Sequence, residues 1–351
     1  MTLHIARYRR PGGMALAIAV LAAACVAYVR HVHWADTLGV MRHASLLTLA
    51  LATGFHLMSL LSKAGVWSVC LRALGASRYR TAARATLVGA TLNSLFMGSA
   101  GEAGRVVIMT RATGLRAYAV ATTVALERLF NVGGFVVVLC VAMVIAPLTV
   151  AIRRAGLTVV VIAVVAIGLA CRFRGDARRS GTARRSGSGA SRFRRIVQLN
   201  VRRIAKIARR VVTPRLLAAA VPLTLMDWTF QLVSYHLVAR AAHLSLGITG
   251  SLVALLAVNL GLVIRVTPGN IGVFELAYAT AAHSLGAPMD AALGVGTLIH
   301  LAQDLPTIAL GVMLGRQLVF VRRPAIGRVP TPTLTSIPAV CQTASPGRRT
   351  L

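Results

Sequence analysis

Apolar stretches about the length of a membrane crossing recur along the chain from Met14 to Gly315, and most end in arginine or in a break containing glycine or proline. A transmembrane helix needs roughly 20 predominantly apolar residues. The apolar pattern predicts eight spans, at 13–29, 45–61 (with a continuation to 71), 118–145, 156–171, 216–239, 250–264, 271–285 and 291–315, the shortest of them 15 residues. A further apolar stretch, 82–101, is interrupted by Asn93, Ser94, Gly98, Ser99 and Gly101, so it does not read as one continuous helix. The expected fold class is therefore all-α: a polytopic transmembrane helical bundle of about eight spans plus a re-entrant element.

Charge orients these spans. Short cytoplasmic loops collect Arg and Lys. Arg7, Arg9 and Arg10 place the N-terminus inside, and Arg72, Arg78, Arg80 and Arg84 do the same for the end of the second span. Arg105, Arg111 and Arg116 place the far side of 82–101 inside as well, so that stretch enters and leaves on one face. Its Gly/Ser/Asn-rich tip suits a broken helix buried within protein. Arg316, Arg322 and Arg323 put the tail inside, so both termini are expected in the cytoplasm of a cytoplasmic (inner) membrane. Arg153 and Arg154 fall outside in this arrangement and run against it.

The net charge of +31 raises nucleic acid as a partner, but its distribution points elsewhere. Of 39 basic residues, 15 lie between Arg172 and Arg215, offset only by Asp176. No nucleic-acid motif accompanies them. Within this loop 175–191 is rich in Ser, Gly and Arg and reads as disordered. From Phe193 the chain alternates: Phe193, Val197, Ile204, Ile207 and Val211 against Arg194, Arg195, Arg202, Arg203, Lys206, Arg209 and Arg210. That predicts either an amphipathic helix on an anionic membrane surface or a cytoplasmic extension of the next span. The organisation is thus a membrane half at 1–171, a basic loop at 172–215, a second membrane half at 216–315 and a disordered tail at 316–351.

Composition agrees. Only 13% of residues are charged and mean hydropathy is +0.73, against about 25% charged in soluble domains. The five cysteines form no CxxC pair, and neither a disulfide framework nor a zinc site is expected. The basic start followed by an apolar run resembles a signal peptide, yet the spans that follow favour an uncleaved first helix. His31, His33 and His43 cluster weakly near Asp36 and do not make a metal site.

Chemistry concentrates in the rare acids. The chain has eight, of which Glu102, Glu127, Glu275, Asp227 and Asp304 lie in or beside apolar stretches. A charge deep in a bilayer costs about 2.5–3.5 kcal/mol by insertion scales, so such groups pair, face the bundle interior and mark pathways. Glu102 and Arg105 share a helical face. Glu127 and Arg128 are adjacent, so each needs a partner across the bundle. Two readings stay open: inter-helix salt bridges, or a polar cavity for a lipid headgroup. Asp227 beside Trp228 reads as a polar anchor rather than a catalytic acid, and Asp227 and Asp304 stand with Glu102, Arg105, Glu127, Arg128 and Glu275 as candidate headgroup or gating residues. The breaks at 98–105 and 267–272 stop a helix and restart it, and a restarting helix directs N–H groups and dipole at an anion such as phosphate; a plain loop is the alternative. A faint internal repeat links the halves, since Gly114 to Arg128 and Gly286 to His300 are the same interval.

These motifs resemble the flippase-like family built on the transmembrane region of lysylphosphatidylglycerol synthase, over most of the chain. Gly101, Glu102 and Arg105 match its first motif, Glu127 and Arg128 its Glu-Arg pair, and Pro268, Gly269, Gly272 and Glu275 its Pro-Gly…Gly…Glu motif. The chain departs from the family pattern at Gly98-Ser99 (usually proline), at Asn131 (usually acidic) and at His300 (usually arginine). The resemblance implies a bundle that translocates lipid. The expected function is movement of an anionic or modified, phosphate-bearing lipid in envelope biogenesis, without enzymatic activity and without a cofactor. The alternatives are a non-transporting accessory protein that docks envelope-biosynthesis partners through its basic loop, and an intramembrane headgroup-modifying enzyme. No clustered nucleophile and base supports the last of these.

Overall fold

The computed structural model describes residues 42–76, 79–96, 99–146, 212–262 and 267–319, with isolated positions between 35 and 39 and between 153 and 161. The expected span at 13–29, most of that at 156–171, the loop segment 175–191, the amphipathic segment 193–211 and the tail beyond Val319 lie outside the described residues; 316–319, expected in a disordered tail, continue the last helix. Among those described, all regular structure is helical: α1 (Leu46–Arg72), α2 (Tyr79–Leu95), α3 (Ala100–Thr113), α4 (Ala117–Ile145), α5 (Pro214–Ala241), α6 (Gly247–Gly261), a 3-10 turn (Pro268–Asn270), α7 (Val273–His283) and α8 (Met289–Val319). The chain is an all-α polytopic membrane protein, as the apolar pattern predicts.

Helices α1, α4, α5 and α8 are long and apolar enough to cross a bilayer. Hydrogen bonds between them fix their directions. The Ser45 amide bonds to the Ala241 carbonyl at 3.1 Å, and Ser59 bonds to Asp227, so α1 and α5 run antiparallel. Thr53 meets Ala302 and His56 meets Thr307, so α8 runs parallel to α1. Proline explains the first of these α8 contacts. Pro306 has no N–H, which leaves the Ala302 carbonyl without its helical partner; the Thr53 hydroxyl donates to it at 3.1 Å.

The expected spans at 250–264 and 271–285 are corrected. Helix α6 has 15 residues and α7 has 11, or about 22 and 16 Å at 1.5 Å per residue, too short for a hydrocarbon core of about 30 Å. They are the arms of a second re-entrant hairpin. The first hairpin also extends further than 82–101, because its returning arm α3 continues to Thr113. The α2–α3 hairpin opens where α1 ends and α4 begins. The α6–α7 hairpin opens where α5 ends and α8 begins, which is the opposite face. The sets α2–α3–α4 and α6–α7–α8 are therefore inverted repeats, the construction that places transporter sites at a bilayer midplane.

The hairpin tips meet. A Cβ added to Gly269 would lie 2.7 Å from the Ser94 carbonyl oxygen, and Gly269 has φ of 62°, so this position needs glycine both for space and for backbone. Behind the tips α2 lies close along α8: Thr91 donates to the Thr307 carbonyl at 3.0 Å, and a Cβ on Gly311 would overlap the Thr91 hydroxyl. Small residues that admit such close approach are the usual cement of helices in lipid. The main apolar core joins α5, α6, α7 and α8 through Trp228, Tyr235, Leu255, Phe274, Tyr278 and Ile299.

Candidate functional site

The charged residues gather where the re-entrant arms α3 and α7 face the spans α4 and α8. Arg128 and His300 each stand eleven residues into their helices, about 17 Å from opposite ends. Glu102 and Glu275 each occupy the third position of a re-entrant arm. Inverted repetition thus brings all of them toward mid-depth.

In the first half the pairing is crossed. Arg105 and Glu127 form a buried bridge, Nη1 to Oε2 at 2.9 Å. Arg128 pairs instead with Glu102. The sequence reading put Glu102 beside Arg105 on one face and gave Arg105 to a cytoplasmic end. In the structure Arg105 is only 6% exposed. Its stem lies against Gly89, where a Cβ would come within 2.6 Å of its Cγ. Its guanidinium sits 4.2 Å above the Trp67 ring, and that ring is held by a 3.0 Å bond from its indole N–H to Thr123. Arg128 differs: its side chain is 45% exposed, although it lies in the middle of a long apolar helix.

The restarting helices do not leave all their first amides open, contrary to expectation. Asn93 Oδ1 accepts from the Gly101 N–H at 2.9 Å. Glu275 Oε2 accepts from the Gly272 N–H at 2.6 Å, as the N3 carboxylate of a capping box does. Gly272 takes φ of 86°, a conformation that favours glycine. The 3-10 turn across Pro268 and Gly269 thus serves to begin α7 inside the protein, with its N-terminus capped by its own carboxylate.

In the second half His300 stands between two carboxylates, Nδ1 at 2.7 Å from Glu275 Oε1 and Nε2 at 3.3 Å from Asp304 Oδ2. Phe274 stacks on its ring at 4.6 Å. The positions corresponding to Arg105 and Glu127 are Tyr278 and Ile299, so the buried ion pair of the first half has no counterpart in the second.

Asp227 is a separate hub between α1, α4 and α5. It accepts from Ser59 at 2.5 Å, Gln231 at 3.0 Å and Asn131 at 3.2 Å, with the Lys63 ammonium at 3.8 Å. Its carboxylate thus ties three helices together. Lys63 and Ser59 were not foreseen, since a lone lysine in an apolar run carries no spacing signal. An open groove of about 540 Å³ lies apart from the charged cluster, between α1 and α5, lined by Met58, Leu61, Leu223 and Phe230 with Arg72 and Tyr79. No group of three or more metal-ligating side chains occurs among the described residues.

A search of curated proteins finds none that matches this chain. Residues 14–311 do match the family model described as the lysylphosphatidylglycerol synthase TM region. That span includes the Gly-Glu, Glu-Arg and Pro-Gly motifs and both inverted repeats except the last eight residues of α8. A family of this description suggests a part in membrane-lipid biogenesis. The chain belongs to the lysylphosphatidylglycerol synthase transmembrane-region family.

Proposed function

We propose that this protein moves an anionic, phosphate-bearing lipid between the leaflets of a cytoplasmic membrane, and that Arg128 is the headgroup contact. The observation that carries this reading is the contrast between two arginines on neighbouring elements. Arg105 is enclosed, bridged to Glu127 and covered by Trp67. Arg128 is half exposed at mid-helix and braced by Glu102. An exposed guanidinium at that depth costs several kcal/mol against hydrocarbon, so its position favours a polar path. A phosphate suits the fork of its donors. Both ion pairs hold the surrounding carboxylates in place rather than presenting a nucleophile and base, which supports transport over headgroup chemistry.

The charge of the two faces supports an orientation. Arg72, Arg80, Arg84, Arg111, Arg116, Arg215 and Arg316 lie toward one face, where α1 and α8 end and α2, α4 and α5 begin. The other carries Arg42, Arg153, Arg154 and Arg240, with Asp290, so the first face holds the larger share of arginine. We assign the first face to the cytoplasm. The test is reconstitution into vesicles carrying fluorescent anionic, zwitterionic or polyprenyl-phosphate lipids. The native protein is expected to move one anionic class, and folded Arg128→Ala to lose that movement. Equal rates for the two proteins rule out Arg128 as the headgroup contact.

A further inference from the structure

Beyond the missing buried ion pair, the second half differs from the first in a further chemical respect. Where the first has Arg128, which cannot lose its proton in a protein, the second has His300. A neutral imidazole has one N–H, whereas each nitrogen of His300 faces a carboxylate oxygen, Glu275 at 2.7 Å and Asp304 at 3.3 Å. With both carboxylates ionised and the ring neutral, one nitrogen lone pair would face an acceptor. The arrangement is complete only when the trio holds one additional proton.

We propose that Glu275, His300 and Asp304 form a proton-binding site whose loading ties the re-entrant arm α7 to the span α8, and whose unloading frees it. When loaded, His300 donates from Nδ1 to Glu275 on α7 and from Nε2 to Asp304 on its own helix. Unloading returns one proton to water through Asp304, whose side chain is 29% exposed while those of Glu275 and His300 are buried. The neutral ring then serves one carboxylate or the other, and the tie across the helices competes with the one inside α8. Glu275 also caps α7 through the Gly272 N–H. A change at its carboxylate therefore reaches the 3-10 turn that touches Ser94 at the tip of the opposite hairpin.

Other titratable groups surround the trio. Tyr278 lies on α7 and Tyr235 on α5, the latter within electrostatic reach of Asp304. His56 on α1 is within reach of Asp304 and Lys63. Helix α2 presents Leu87 and Thr91 to α8 near Gly311, neither of them titratable. Of these groups His300 alone has a carboxylate on each ring nitrogen among the described residues. Resting on the translocation reading, the consequence is that lipid movement responds to a proton gradient, with fixed charge in the first half and titratable charge in the second.

The test has two arms. In the first, protein labelled with carbon-13 histidine in lipid nanodiscs is stepped from about pH 6 to pH 10, and imidazolium loss is followed by infrared difference spectroscopy. A histidine transition present in the native protein and missing from His300→Gln is expected. No transition, or the same transition in the variant, overturns the proton site. In the second, vesicles with fluorescent anionic phospholipid are given a pH gradient in either direction. The native rate is expected to differ at least threefold between gradient and no gradient, and His300→Arg to lose that difference. A gradient-independent native rate, or a response that survives His300→Arg, overturns the coupling. If the native protein moves no lipid under any gradient but His300 still titrates, the translocation reading fails and the proton site stands.

Discussion

Removal of Glu127 should destabilise this protein strongly. Arg105 is 6% exposed, and of its side-chain nitrogens only Nη1 has a hydrogen-bond acceptor among the described residues, Glu127 Oε2 at 2.9 Å. Glu127→Ala leaves a buried guanidinium whose remaining support is the face of Trp67. That cation–π contact is worth about 0.5–2 kcal/mol, whereas breaking a buried pair by deleting one partner costs about 3–5 kcal/mol. The aromatic face cannot offset the loss. At about 1.4 kcal/mol per tenfold change, the folding equilibrium should fall by roughly two to four powers of ten. Rotation of Arg105 toward water is obstructed, since its stem runs through the gap left by Gly89. Replacing both partners by apolar residues of similar size, Arg105→Met with Glu127→Leu, should recover most of the loss, because a buried pair is often no better than good apolar packing. Denaturation of detergent-solubilised protein, followed by Trp fluorescence and by retention of a monodisperse elution peak, measures this. A Glu127→Ala protein as stable as the native one, or a double variant no better than the single, would refute the reasoning.

Three further outcomes follow from the same geometry. Glu102→Gln should lower lipid movement by loosening Arg128, which Glu102 braces; vesicle assays on protein whose thermal melt shows it folded check this. Gly101→Val should prevent the first hairpin from closing, because even a Cβ there would lie 2.6 Å from Asn93 Cγ and overlap the Gly89 carbonyl; low yield of folded protein checks it, and Gly114→Val is not a suitable control since Gly114 has φ of 72°. Single cysteines at Thr113 and Ser284, in a protein with its native cysteines replaced, should react with an impermeant maleimide from opposite sides of the membrane; labelling from the same side would contradict the inverted hairpins.

The long spans were legible in the sequence because hydropathy reads length directly. The expected 118–145, 216–239 and 291–315 differ by only a few residues from Ala117–Ile145, Pro214–Ala241 and Met289–Val319. The second hairpin was not, because 250–264 and 271–285 are mostly apolar and the Pro-Gly break between them reads as a loop joining two spans, although each has only 15 residues. At the first hairpin, Asn93, Ser94 and the glycines of 98–101 advertise the break. Sequence picked out Glu102, Arg105, Glu127, Arg128, Glu275 and Asp304 as charges too costly to be idle in lipid. It could not say who pairs with whom. Glu102 and Arg105 are neighbours on one helix face, yet each finds its partner on α4, since the packing of α3 buries Arg105 and leaves Glu102 toward the rim. Trp67 and Ser59 had no signal at all. Their roles depend on which face of α1 meets α3 or α5, and the apolar pattern of α1 is nearly uniform around the helix.

The most direct test of the account is the headgroup-charge preference of lipid movement in vesicles, compared among the native protein, Arg128→Gln and the Arg105→Met/Glu127→Leu double variant. Anionic lipid should move faster than zwitterionic lipid with the native protein, Arg128→Gln should erase this preference, and the double variant should keep it, because the buried pair only holds the hairpin while Arg128 meets the lipid. An Arg128→Gln protein that still favours anionic lipid, or a folded double variant that loses the preference, would contradict it.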